Sequence, residues 1–130
     1  MPLIIQAAAM SGKMVEGARW LVDLPWIQEG HTVSLNIPVK DPALIGYVGR
    51  QNSLDCVVDK EDGKYSISLS CKVVRIRHMV STAAGTTESL AIVSPVNRLA
   101  EGVLTYVLTP AKCDPRFVAA VRGGEPPRDA

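Results

Sequence analysis

The sequence predicts an α+β fold: an antiparallel β-sheet, built from an N-terminal hairpin plus about five strands, followed by two C-terminal helices. The first observation is the alternation of apolar and polar residues on both sides of Asp62-Gly63, which is typical of a β-hairpin. The second is the change, after residue 96, to apolar residues three and four apart, which is typical of an amphipathic helix. The third is composition, because 130 residues with 47% hydrophobic and 21% charged side chains suit one globular domain.

The N-terminal part predicts two strands. Pro2–Ala9 is apolar, Ser11-Gly12-Lys13 forms a turn, and Met14–Leu24 returns as the second strand. A short helix is the alternative for this second segment, with an apolar side made of Met14, Val15, Ala18 and Leu21. Thr32–Ile37 alternates as a half-buried strand. Several prolines and glycines then predict an irregular connection over Val39–Asn52.

The central hairpin is the best-defined prediction. A two-residue turn at Asp62-Gly63 pairs Glu61 with Lys64 and fixes the register of every later pair. One face then carries apolar pairs, namely Leu54 with Cys71, Cys56 with Leu69 and Val58 with Ile67. The other face carries Asp55 with Ser70, Val57 with Ser68 and Asp59 with Ser66. Hydrophobic pattern and turn chemistry therefore agree on which face is buried.

The alternation changes phase at Val73-Val74, which predicts a β-bulge or kink that re-aims the strand. Ser81–Thr87 is then expected to form a loop, and Ser89–Val93 the next strand.

Two helices are predicted at the C-terminal end. The first covers Val96–Thr109, with Ser94 or Asn97 as its cap. The second covers Asp114–Arg122, where Asp114 is the cap residue and a proline follows in the first turn. We therefore expect one domain over residues 1–124 and a flexible tail over 125–130.

Composition excludes several classes of function. A net charge of +1 gives no bulk attraction to nucleic acid or to a membrane, so any such binding needs local charge placement. His31, His78 and the three cysteines match no metal-ligand spacing, and no nucleophile stands in a recognisable constellation. We expect no enzyme activity, no cofactor, no metal, no small-molecule substrate and no membrane span. The odd cysteine count and the absence of a signal-peptide pattern indicate a reduced, intracellular setting.

The one basic cluster contains Lys72, Arg75, Arg77 and His78. Positive charge on a strand edge protects against aggregation, and it also suits contact with phosphate. These two interpretations are evenly balanced. Under the second, single-stranded RNA binds a polar strand platform made of Ser66, Ser68, Ser70, Lys72, Arg75 and Arg77.

The order of elements resembles the coat proteins of the single-stranded RNA bacteriophages. The closest local match is Leu54-Asp55-Cys56-Val57-Val58 followed by Gly63-Lys64-Tyr65-Ser66-Ile67-Ser68-Leu69, which is similar to that family's central hairpin. The resemblance implies a homodimer that assembles, in the cytoplasm of a bacterial host, into the capsid shell of a virion. It also implies RNA on the polar face of the sheet, where Asp55 and Asp59 would repel phosphate.

A dimer is also expected on physical grounds, because a thin sheet with one apolar face buries little unless a partner covers it. The predicted dimer interface lies on the two helices and contains Val96, Leu99, Val103, Leu104, Val107, Leu108 and Phe117. The alternative is a small OB-type β-barrel that binds single-stranded nucleic acid, although the chain is poor in aromatic residues. A small enzyme is the least favoured interpretation.

Overall fold

The computed structural model describes residues 3–23 and 27–123. It is an α+β structure with a mixed sheet of six strands and three α-helices in those residues. The strands are β1 Leu3–Ala8, β2 Met14–Val22, β3 Thr32–Pro38, β4 Cys56–Glu61, β5 Lys64–Ser81 and β6 Thr86–Pro95. The helices are α1 Pro42–Arg50, α2 Arg98–Leu108 and α3 Pro115–Val121, with a 3₁₀ turn at Pro110–Lys112. Leu24, the predicted end of the second strand, and the tail over 125–130 lie outside the described residues.

The strand order is β2-β1-β6-β5-β3, and β4 pairs with the first half of β5. The N-terminal hairpin is confirmed, since β1 and β2 pair antiparallel. The expectation of a wholly antiparallel sheet is wrong at one place, because β1 and β6 run parallel. β1 therefore lies inside the sheet rather than at its edge. Five of its six residues are buried, as expected for a strand with a neighbouring strand on each side.

The central hairpin has the predicted register, with Glu61 opposite Lys64 and Val58 opposite Ile67. Asp62 and Gly63 have φ values of 51° and 75°, as a type I′ turn requires. Leu54 departs from the prediction, since β4 begins only at Cys56 and Leu54 is 93% exposed in the loop before it. The alternation of apolar and polar residues in the sequence extends to Leu54, although the backbone pairing of β4 with β5 begins only at Cys56.

The predicted phase change is confirmed as a register shift between Val73 and Arg75 in the β5–β6 pairing. Val73 is opposite Val93 and Arg75 is opposite Ile92, so Val74 is the extra residue of a bulge. The loop after β5 is shorter than predicted, since the strands continue to Ser81 and resume at Thr86.

The predicted irregular connection over Val39–Asn52 is wrong, because this stretch contains α1. Asp41 Oδ1 accepts a hydrogen bond of 3.0 Å from the Ala43 N–H, and Pro42 occupies the first turn. These are helix-start signals that also suit a loop. Leu44 and Val48, one turn apart, are fully buried and compensate the helix for its two glycines.

The C-terminal helices form close to where they were predicted, with Asn97 and Asp114 as their caps. Asn97 Oδ1 accepts from the Ala100 N–H at 2.9 Å, and Val96 lies before the helix. Val103 and Leu104 of α2 are at most 1% exposed within the single chain. The expectation that this stripe packs on the sheet of a second chain is therefore corrected for these two residues. Their own sheet offers the same apolar surface at far lower entropic cost.

One core lies between the helices and one face of the sheet. α2 contacts β2, β5 and β6, while α1 packs against β4 and α3. The sheet curls around this core, so that β2 and β3, which are not hydrogen-bonded to each other, line the two sides of a cleft of about 560 Å³. The described helices pack against one face of the sheet only, and we call the opposite face the open face.

Candidate nucleic-acid interface

The open face is defined most clearly along β5. Ile67, Leu69 and Cys71 are fully buried in the core. The intervening serines are only half-buried, and Lys72 is exposed. Because successive side chains of a strand point to opposite faces, the serines and Lys72 lie on the open face. The predicted site residues Ser66, Ser68, Ser70 and Lys72 are thus brought together on one surface.

The bulge at Val74 decides where the arginines lie. Without an extra residue, Lys72 and Arg75 would point to opposite faces. With the extra residue in the bulge, all three cations lie on the open face. Their cross-strand partners on β6 are Ser94 for Lys72, Ile92 for Arg75 and Leu90 for Arg77, whereas Val73 and Ile76 contact the core. We call Lys72, Arg75 and Arg77 the basic strip. All three side chains are exposed, and none forms an ion pair with another described residue.

His78 does not join the basic strip. It follows Arg77 on β5 and therefore points to the opposite face of the strand. Its Nδ1 lies 2.9 Å from the Ser89 hydroxyl, its cross-strand partner. Its proximity in sequence to the arginines was thus misleading.

The part of the open face that carries Ser66, Ser68 and Ser70, which we call the serine half, already contains internal hydrogen bonds. The Ser68 hydroxyl donates to Asp59 Oδ2 at 2.6 Å. The Asn36 side-chain amide donates to Ser68 Oγ at 3.0 Å and lies 3.4 Å from the same carboxylate oxygen. The negative charge of Asp59 therefore sits beside Ser66 and Ser68, as the sequence predicted, and opposes phosphate there.

Asp55, in the loop just before β4, has a structural role. Its backbone carbonyl accepts from the Ser70 N–H at 2.8 Å, and its Oδ2 accepts from Asn97 Nδ2 at 3.1 Å. Because Asn97 also caps α2, Asp55 ties the start of β4 to the start of that helix. A further carboxylate, Glu29, accepts from the Ile76 N–H at 3.0 Å on the free edge of β5.

Arg19 was not predicted to belong to the site. On β2, Ala18 is fully buried and Trp20 packs against the core, so Arg19 between them points to the open face. It is exposed. Sequence pattern cannot place it near the basic strip, because that proximity depends on β1 pairing with both β2 and β6.

No aromatic ring lies on the open face among residues 3–23 and 27–123. Trp20 packs on the core side, and Tyr47, Tyr106 and Phe117 contact one another among the helices. Tyr65 lies on the same face of β5 as Ile67, with the Lys60 ammonium 5.4 Å from its ring centre. Base stacking on aromatic rings is therefore not available on the described part of this surface.

The predicted dimer-interface residues separate into two groups. Val103 and Leu104 are buried in their own chain. Leu99, Val107, Leu108 and Phe117 are half-buried and pack at the margin of the core, and Val96 is 38% exposed. Only the second group keeps accessible surface in the single chain.

The cysteine thiols belong to the core. Burial raises the pKa of Cys56 to about 11 and that of Cys71 to about 12, so both stay protonated at neutral pH. Burial also raises the pKa of Cys113. A thiol held protonated is a poor nucleophile and metal ligand.

In the described ranges, no group of three or more His, Cys, Asp or Glu side chains is placed to hold a metal ion. None of the helices described is long and apolar enough to cross a membrane. Comparisons with protein-family models, curated proteins and solved structures find no significant match to this chain.

Proposed function

We propose that this chain is a viral structural protein that binds single-stranded RNA on the open face of its sheet and assembles with copies of itself into a shell. The observation that carries the RNA-binding part is the basic strip. Three cations stand on one strand, on the face that none of the described helices covers, without ion-pair partners among the described residues. Such a surface attracts a polyanion despite the near-neutral net charge.

The chemistry of the open face favours contact with phosphates rather than recognition of bases. Aromatic stacking is missing from its described part, and the donor of Ser68 is engaged by Asp59. Lys72, Arg75 and Arg77 are therefore the main proposed contacts, and the serines are secondary. We expect weak sequence preference and strong salt dependence.

RNA binding is tested by fluorescence anisotropy of a labelled, unstructured RNA over a series of salt concentrations. Three phosphate contacts on a single strand predict a slope of log K against log salt of about −2. Replacing Lys72 or Arg77 by Ala should reduce that slope by about 0.7 each. The matched control is Arg116→Ala, which removes one exposed charge on α3, among the helices. Equal slopes for all these variants would reject the RNA-binding proposal.

The proposal of self-assembly is supported by the resemblance of the element order to that of the RNA-phage coat proteins. It is also supported by the half-buried apolar residues of the helices, a group that excludes the fully buried Val103 and Leu104. The parallel β1–β6 pair gives no support to the resemblance. The purified 14.0 kDa chain should elute as particles in the void volume and appear as spheres by negative stain. A stable monomer in the presence of RNA would reject this part of the proposal and leave the RNA-binding part standing.

The curl of the sheet favours a second candidate, a small barrel-like module for single-stranded nucleic acid. The two edge strands β2 and β3 approach each other across the cleft, as in an incompletely closed barrel. Such a module uses stacking platforms, which the described open face lacks. A small oligomer that binds RNA would select this candidate over the shell protein.

A further inference from the structure

The pairing of β1 with both β2 and β6 brings a fourth cation into line with the basic strip. Arg19 is opposite Gln6, Gln6 is opposite Ile92, and Ile92 is opposite Arg75. One row of side chains therefore runs across four strands, and its residues are Arg19, Gln6, Ile92 and Arg75. The next row, two residues further along, is Leu21, Ile4, Leu90 and Arg77. Both rows lie on the open face.

We infer that single-stranded RNA crosses the strands of the sheet along these rows, from Arg75 and Arg77 on β5 to Arg19 on β2. This inference rests on the proposed function and adds the direction of the RNA and one further contact. Three inter-strand spacings of about 4.8 Å separate β5 from β2, so the cations at the two ends are about 14 Å apart. An extended polynucleotide can contact both ends at once.

Apart from Gln6, the residues between the cations of these rows are aliphatic. Ile4 and Ile92 are only 8% and 7% exposed, although none of the described helices covers this face. Neighbouring side chains on the face must cover them, and the stems of long arginine side chains are suited to this. Leu21 is 71% exposed at the β2 end of its row. Leu21 therefore offers ribose and base faces one exposed apolar contact beside Arg19.

Gln6, the polar residue between the two cations of the first row, does not extend its side-chain amide over the open face. Gln6 Nε2 donates to the carbonyls of Ala7 and Val15 at 2.9 and 3.1 Å, so its amide is held against the backbone. Its hydrogen-bonding capacity is used locally, beside the irregularity in the β1–β2 pairing.

The alternative path, along β5, is opposed by charge. RNA that followed β5 from Arg77 past Lys72 would next meet Ser68 and the Asp59 carboxylate. RNA that crosses the strands does not pass this carboxylate and reaches the Arg19 guanidinium instead. Charge complementarity therefore favours the crossing direction.

The test uses the full chain, a labelled uridine 20-mer and four variants. Arg19→Ala should weaken binding about fivefold at 0.1 M salt and reduce the salt slope by about 0.7, the effect of one phosphate contact on a single strand. Arg19→Lys should keep the slope, and Arg116→Ala should change neither quantity. Leu21→Ser should weaken binding without changing the slope. Circular dichroism confirms that each variant is folded.

The outcomes separate the two levels of the proposal. If Arg75→Ala and Arg77→Ala weaken binding while Arg19→Ala matches Arg116→Ala, the crossing path is overturned and RNA binding survives. If none of these arginines matters, both are overturned. Vesicles of phosphatidylglycerol serve as a second probe. If they bind with the same arginine dependence while RNA does not, the face is a membrane surface and the RNA path is rejected.

Discussion

The phenol of Tyr106 on α2 donates a hydrogen bond of 2.7 Å to Asp41 Oδ2, which joins that helix to the capping residue of α1. The Arg122 guanidinium lies 3.4 Å from the same oxygen. One carboxylate thus holds the start of α1, the last turn of α2 and the end of α3 together.

Stability should therefore depend on pH through Asp41. The hydrogen bond from Tyr106, aided by the Ala43 N–H and by Arg122, holds the pKa of this carboxyl below its ordinary value of 3.8. A lowered folded-state pKa gives stability that is complete above the unfolded-state value and is lost as pH falls through the folded-state value. Urea unfolding of the wild type should show this loss at the acid end. Asp41→Asn should be less stable than wild type at pH 7 and should flatten the profile below pH 4; an unchanged profile would argue against the assignment.

Leu104 and Leu54 form a matched pair for testing how the helices pack. Leu104 is fully buried and Leu54 is 93% exposed. Leu104→Ala should lower the free energy of unfolding by about 2–5 kcal/mol, and Leu54→Ala by less than about 0.5 kcal/mol. Denaturant unfolding at several protein concentrations measures both. If the Leu104→Ala effect vanished at low concentration, the leucine would be buried by a second chain instead.

Gly102 should be intolerant of any side chain. A Cβ built there would lie 2.6 Å from the Phe117 ring. Gly102→Ala should therefore destabilise the fold by about 1–3 kcal/mol through overpacking. Gly49→Ala is the control, since nothing lies within 4 Å of its added Cβ and helix propensity should make it neutral or slightly stabilising. Phe117→Ala combined with Gly102→Ala should show less than additive loss, because the clash is then removed.

The charge of Asp59 should distinguish the two RNA paths over the open face. Asp59→Asn keeps an acceptor for the Ser68 hydroxyl and removes one negative charge. Because the path across the strands avoids this carboxylate, the variant should bind RNA with nearly unchanged affinity. A gain of about two- to fivefold, the effect of an exposed like charge worth roughly 0.5–1 kcal/mol, would place the RNA along β5 instead. Asp114→Asn is the control, because asparagine caps a helix as well as aspartate does and this site lies on α3. Equal affinities would place the RNA far from β4.

Features that depend on residues close together in the sequence were predicted correctly more often than features that depend on distant residues. The β4–β5 register was predictable because a two-residue turn and a local alternation both specify it. The bulge at Val74 was visible for the same reason. α1 was missed because Asp41-Pro42 starts both helices and turns, and its glycines suggested a loop.

The central position of β1 and the approach of Arg19 to the basic strip depend on the pairing of β1 with β6, more than eighty residues later in the sequence. No local pattern encodes that pairing. The positions of the C-terminal helices were predicted correctly, but the surface that they cover was not. An apolar stripe on a helix does not show whether it packs on the sheet of its own chain or on that of another. The structure places Ser66, Ser68, Ser70, Lys72, Arg75 and Arg77 on one face, as expected, and their contact with RNA stays a prediction.

The parallel contact between the first and last strands has a consequence for synthesis of the chain. Leu3 meets Ser89, more than eighty residues later. The N-terminal hairpin therefore emerges from the ribosome long before the strand that completes its surroundings. Closing a loop of this length delays folding, because its entropic cost precedes the reward of native contacts. Until β6 is made, one edge of the apolar strand β1 stays unpaired, and protection by a nascent-chain chaperone would be most valuable during that interval.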